Sequence, residues 1–517
     1  MKTLSTSTEE VLEHLPHIEL LQPLTVSDPI LKPDSPPKIS KQATRTSLKA
    51  STLDGVFATI FSNITGGVLL VNFLLQLGAS PVEIGLLSSI PLLVNFLQPV
   101  GAYLADRTSS RHWYTLAIFG SSRLLWLILV AGIAWFSCSN TAPHQLVIWT
   151  LGIILVTNVL GALGGCAWFS WMAALVPPRL RGRYFGFRNS AASLANLLSV
   201  PLLGFAVSVW PGGTIQGYGI LLLLGVVIGL VSLACQFWMV DVNPQNFHSG
   251  EALSQQEKIF SSEQPKAFSF LKDLNFLKFL LYFGLWTFAM NLSAPFFNLY
   301  MLKNLGLNLS TVTIYTSLIA GANLVMLVLW GKLADRVGNR PVLLLVGILI
   351  ALTPLFWLAA GNNSVSVWLW LPLIHLVTGG FGAAIELCNS NIQMEMAPLD
   401  RPSQYFAIAA AVTGVTGGLG STVGGFLAQL DIIGGLPGLF ALSTTVRLVA
   451  LLPLVFVQEP RSKPIVHVMG KILPFKAKLA LVSAEKTIAD LEKALAEKIA
   501  AIKAAIDAIT ALPADIK

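Results

Sequence analysis

Residues 331–340 read Gly331-Lys332-Leu333-Ala334-Asp335-Arg336-Val337-Gly338-Asn339-Arg340, and residues 102–111 read Ala102-Tyr103-Leu104-Ala105-Asp106-Arg107-Thr108-Ser109-Ser110-Arg111. The two aspartates, at 106 and 335, are 229 positions apart. A second echo joins RGRYF at 181–185 to RPSQYF at 401–406, whose tyrosines at 184 and 405 are 221 apart. Two similar offsets in one chain indicate two halves related by duplication.

Each copy of the motif interrupts long apolar sequence. Of 517 residues, 54% are hydrophobic and only 11% charged, against about 25% charged in a soluble domain. The 59 charged side chains gather in the first 49 residues, in 241–278 and beyond 457, leaving 21 for about 400 residues. So little charge cannot coat a water-soluble fold of that size, so lipid must be the solvent for most of the chain. Apolar runs long enough to cross a bilayer occur twelve times, near 50–77, 83–105, 113–136, 146–175, 184–209, 217–240, 276–302, 311–330, 341–361, 366–396, 404–429 and 437–457. Arg107, Arg111, Arg179, Arg181, Arg183, Arg188, Lys332, Arg336, Arg340 and Arg401 fall in short loops on one side, against Lys303 on the other. By the positive-inside rule the arginine side is cytoplasmic, and with it both termini and the loop at 241–275. The net charge of +7 is then a topology signal, and no basic run interleaved with aromatics points to nucleic acid.

The segment 331–340 closely resembles the G-x-L-A-D-R-x-G-x-R signature of the major facilitator superfamily, and twelve spans in two halves match that family's organisation. The resemblance covers roughly residues 50–457. The first copy departs from it at Ala102 and Ser109, where the signature has glycine. The fold implied is an all-α membrane protein of two pseudo-symmetric six-helix bundles, at 50–240 and 276–457. The function implied is transport of a small solute across the bilayer by alternating access.

The motif also has chemistry of its own. Glycines such as Gly331 and Gly338 let a neighbouring backbone approach closely. Asp106 and Asp335 can sit at the positive end of an adjacent helix, or pair with Arg107, Arg111, Arg336 and Arg340, in one conformation only. Such contacts would latch the cytoplasmic side.

Most of the 21 core charges lie at span ends, and Asp54, Glu83, Glu395, Asp400 and Asp431 are assigned there. Arg123, Glu386 and Arg447 fall about ten residues inside their spans, where an unpartnered ion costs at least about 2.5 kcal/mol. Either arginine could bond helix carbonyls, pair with Asp54 or Glu386, or bind an anionic group of a solute. Glu386 is the coupling candidate, because a carboxyl in a cavity of low dielectric can take up and release a proton. The resemblance implies that spans one, four, seven and ten line a central cavity. That would gather Glu386 and Asn389 with Asn63, Trp168, Trp171, Trp286 and Asn291.

No P-loop or metal-ligand cluster occurs; His375 stands alone and the four cysteines are scattered. The expectation is a secondary transporter coupled to a proton or ion gradient, with no cofactor and no enzymatic activity. A transport-inactive scaffold or assembly factor for membrane proteins or pigments is the alternative. Residues 1–49, with six prolines and no periodicity, read as a disordered tail. Ile488, Leu491, Leu495, Ile499, Ile502, Ile506 and Ile509 repeat at a mean of 3.5, which predicts an amphipathic helix over about 484–511 suited to self-association or to the inner leaflet.

Overall fold

A computed structural model describes residues 40–108, 110–138, 144–176, 181–241, 273–396 and 402–459. The first 39 residues, most of the central loop and the helix expected at 484–511 lie outside them. Among the described residues, twelve helices are long and apolar enough to span a bilayer: α1 (Lys41–Gln76), α2 (Pro81–Ala105), α3 (Arg111–Phe136), α4 (His144–Met172), α5 (Phe187–Ser208), α6 (Gly213–Gln236), α7 (Leu274–Asn304), α8 (Leu309–Val337), α9 (Asn339–Ala359), α10 (Ser366–Met396), α11 (Tyr405–Leu427) and α12 (Gly435–Val455). The short separations at 210–216 and 430–436 are turns, held by Gly213 at φ 85° and by Gly434 and Gly435 at φ 84° and 64°, backbone that other residues adopt at a cost.

Helix α1 begins earlier than the apolar run. Ser40 caps it, accepting a hydrogen bond from the amide of Ala43. The polar stretch from Lys41 therefore extends the helix, and Asp54, expected at a span end, lies well inside it and is 4% exposed. The same helix breaks after Ile64 and restarts at Gly67.

Six helices pack within each half: α1 on α5 and α6, α3 on α4 and α6, then α7 on α11 and α12, and α8 and α9 on α10. The halves meet along α2 with α11 and α5 with α8. A Cβ at Gly85 would come within 2.6 Å of the Ser421 carbonyl, and one at Gly204 within 2.5 Å of Thr313, so glycine permits both approaches. Ser89 Oγ bridges the seam, 2.8 Å from both the Gly418 carbonyl and Thr422 Oγ1. These contacts lie from the bundle midplane away from the arginine loops. Toward those loops α2 leaves the seam. Pro91 removes a helical donor, a tighter turn follows at Asn95–Leu97, and the last segment packs on α4 with Gly101 against Ala162 and Leu163. Phe187, Leu194 and Glu386 are exposed on that side.

Candidate functional site

A cavity of about 730 Å³ opens between α1, α2, α3 and α4 of the first half and α7 of the second, within the usual range of organic-ligand sites. The break in α1 borders it: Thr65, Gly66 and Gly67 are all wall residues, and Gly67 has φ 57°. Backbone can leave the helical ladder at membrane depth only where it faces protein or a cavity. Side-chain polarity comes from amides and hydroxyls, among them Asn95, Gln98, Asn158, Asn291 and Asn298, with Phe61 and Phe169 as aromatic walls. Asn158 and Asn291 donate to the carbonyls of Ile154 and Thr287, at 2.8 and 2.9 Å.

Of the seven residues expected to gather in a central cavity, and the two arginines considered for solute binding, one, Asn291, is in this wall. Helix packing within each half claims all the others but Glu386. Asn63 donates to Ser199 Oγ at 2.9 Å, tying α1 to α5. Trp168 lies under the Arg188 guanidinium, 4.6 Å from its ring centre. Trp171 is fully buried and donates to the Val240 carbonyl. Trp286 is buried in the core of the second half, and Asn389 sits beside Tyr282 of α7. Glu386 is exposed on α10 and makes no side-chain hydrogen bond or ion pair among the described residues.

The two intramembrane arginines sit in matching places. Arg123 reaches from α3 to the Gly229 carbonyl on α6, with Asp54 of α1 near enough to feel its charge. Asp54 in turn accepts from Ser232 and Gln236 of α6. Arg447 reaches from α12 to the Ile350 carbonyl and Thr353 on α9 and to the Met290 carbonyl and Ser293 on α7. Each guanidinium thus fills the junction of the first, third and sixth helices of its half. The third helix supplies it in one half and the sixth in the other. Of the roles open to these arginines, this geometry gives them carbonyl bonding and helix locking.

At the motif, Arg107 stacks on Tyr103, with 4.4 Å to the ring centre, and Arg111 is buried. Gly338 joins α8 to α9 at φ 104°, and Gly331 faces Leu387 of α10. Asp335 and Arg336 are exposed, without a partner across the halves among the described residues; the Asp106 side chain lies outside them. The helix-end position foreseen for these aspartates is filled by other acids. Glu459, just after α12, accepts from the amides of Asn339 and Arg340 at the start of α9, 2.8 Å each, while Arg340 donates to the Val455 carbonyl. Asp241, just after α6, accepts from Ser110, the cap of α3, at 2.5 Å. The signal for both was present: an acid directly follows the last span of each half.

A family profile described as "MFS_1 like family" matches residues 60–433. An uncharacterized MFS-type transporter of Methanocaldococcus jannaschii is 24% identical over 403 residues, covering 73% of this chain and 91% of that protein. Among solved structures, a D-xylose-proton symporter matches with a TM-score of 0.59 at 16% identity, over 81% of this chain and 98% of its own. The nucleoside transporter NupG matches with a TM-score of 0.59 at 12% identity, over 80% and 98%.

Proposed function

The chain belongs to the MFS_1-like family of membrane transporters, and from that premise we propose that it is a secondary active transporter that moves a small solute by rocking its two halves about the central cavity. One observation supports this reading: the halves are zipped by glycine contacts away from the arginine loops, while toward those loops the last segment of α2 leaves the seam for α4. That is one of the two states alternating access requires. With the arginine loops cytoplasmic, the state is inward-open, both termini are cytoplasmic, and the host is an inner or plasma membrane. The exposed, unpartnered motif residues Asp335 and Arg336 fit a latch that engages when this side closes. The expected tail helix would act in self-association or on the inner leaflet.

In this reading a proton or ion gradient drives the cycle and Glu386 is the coupling carboxylate, water-accessible and unpartnered in the open state. The test is uptake into proteoliposomes under an imposed pH gradient. Glu386→Gln is expected to retain exchange of solute across the membrane and to lose gradient-driven accumulation; undiminished accumulation would remove Glu386 from coupling.

A further inference from the structure

Among the described residues, the wall of the cavity contains no Asp, Glu, Lys, Arg or His. The nearby intramembrane charges are turned away from it. Asp54 and Arg123 are engaged with α6, and the ring of Phe61, itself a wall residue, lies between, with the Arg123 guanidinium 5.4 Å from its centre. An ion entering at this depth would shed water without meeting a counter-charge.

What the wall offers instead is unspent hydrogen-bonding capacity. Asn158 and Asn291 use amide hydrogens on their own helices, which leaves each Oδ1 as an acceptor. The Thr65 hydroxyl does the same toward the Phe61 carbonyl, leaving its oxygen lone pairs free. At the break in α1 the restarted helix has no side-chain cap, so its leading amides supply donors beside the same space. Phe61 and Phe169 add apolar faces.

Resting on the transport reading above, we propose that the solute is an uncharged organic molecule bearing hydroxyl or N–H donors, held by the Asn158 and Asn291 amide oxygens and the opened backbone at Thr65–Gly67, and that the cavity rejects both anions and cations.

Cys166 is a native reporter, since it lies in this wall with its Sγ 3.3 Å from the Gln98 carbonyl. The full-length chain with Cys138→Ala, Cys235→Ala and Cys388→Ala, monodisperse in detergent, is treated with three methanethiosulfonates of similar size. These are the neutral 2-hydroxyethyl, anionic sulfonatoethyl and cationic trimethylammonioethyl reagents. Each rate at Cys166 is divided by that with a free thiol in solution. Both charged reagents are expected more than fivefold slower than the neutral one. Asn158→Asp is expected to speed the cationic reagent and slow the anionic one, which a merely tight passage would not do. A deficit within fivefold for either charged reagent, failure of the neutral reagent to label, or no change on Asn158→Asp would overturn the proposal. Absence of uptake in proteoliposomes would defeat the transport reading while leaving these rates as they are.

Discussion

Arg447 is 1% exposed and makes four hydrogen bonds to two neighbouring helices. Arg447→Met keeps much of the side chain's bulk and deletes the donors, leaving two helix carbonyls and two hydroxyls each one hydrogen bond poorer, although Thr353 keeps its bond to Ile350 and Ser293 its bond to Ser443. Each orphaned buried group costs about 1–3 kcal/mol, less what neighbours recover, so a loss of about 3 kcal/mol is expected, read as a lower melting temperature of the purified protein. Solute selectivity should not move, because Arg447 is absent from the cavity wall. Single residues were where the sequence said least. It marked Arg123 and Arg447 as needing a partner at depth but could not choose among partners, since the carbonyls that satisfy them belong to helices over 90 positions away. Asp54 was placed at a span end because its helix begins in polar sequence that no apolar pattern marks.

At the scale of elements the chain is far more legible, because twelve apolar runs and the glycines between them are local features. What periodicity could not mark was interruption within a run. The Thr65-Gly66-Gly67 break is written in small residues that also suit close helix packing, and the cavity's position follows from it. The ends of α3 and α9 are held by acids from after α6 and α12; Asp241 takes the Ser110 hydroxyl at α3, whereas at α9 the charge of Glu459 faces two backbone amides and the positive end of a helix. Glu459→Gln is expected to lower stability by about 1 kcal/mol and Glu459→Asp by less, measured as thermal unfolding at low ionic strength. Equal melting temperatures for all three proteins would mean the helix end gains nothing from charge.

Over the whole molecule, the duplicated motif and span count were enough to give two bundles, since duplication constrains topology regardless of side-chain detail. Which walls enclose the cavity was not legible, because that depends on where the halves part and on the bend of α2 after Pro91. The seam makes a direct prediction. Ser89→Cys with Thr422→Cys places two thiols where oxygens now lie 2.8 Å apart. Oxidation should join the halves and abolish uptake reversibly, with reduction restoring it; uptake that survives a complete cross-link would show that this seam need not open.

The exchanged origin of the two buried guanidiniums bears on how the halves diverged. A comparison of the halves position by position would score Arg123 as discarded and Arg447 as a novelty. In space the two halves agree: each holds a cation at one crossing of three helices, sent from a different helix. What the halves share is a destination rather than an address, so likeness between them is better traced through the places that charges reach than through the columns in which they are written.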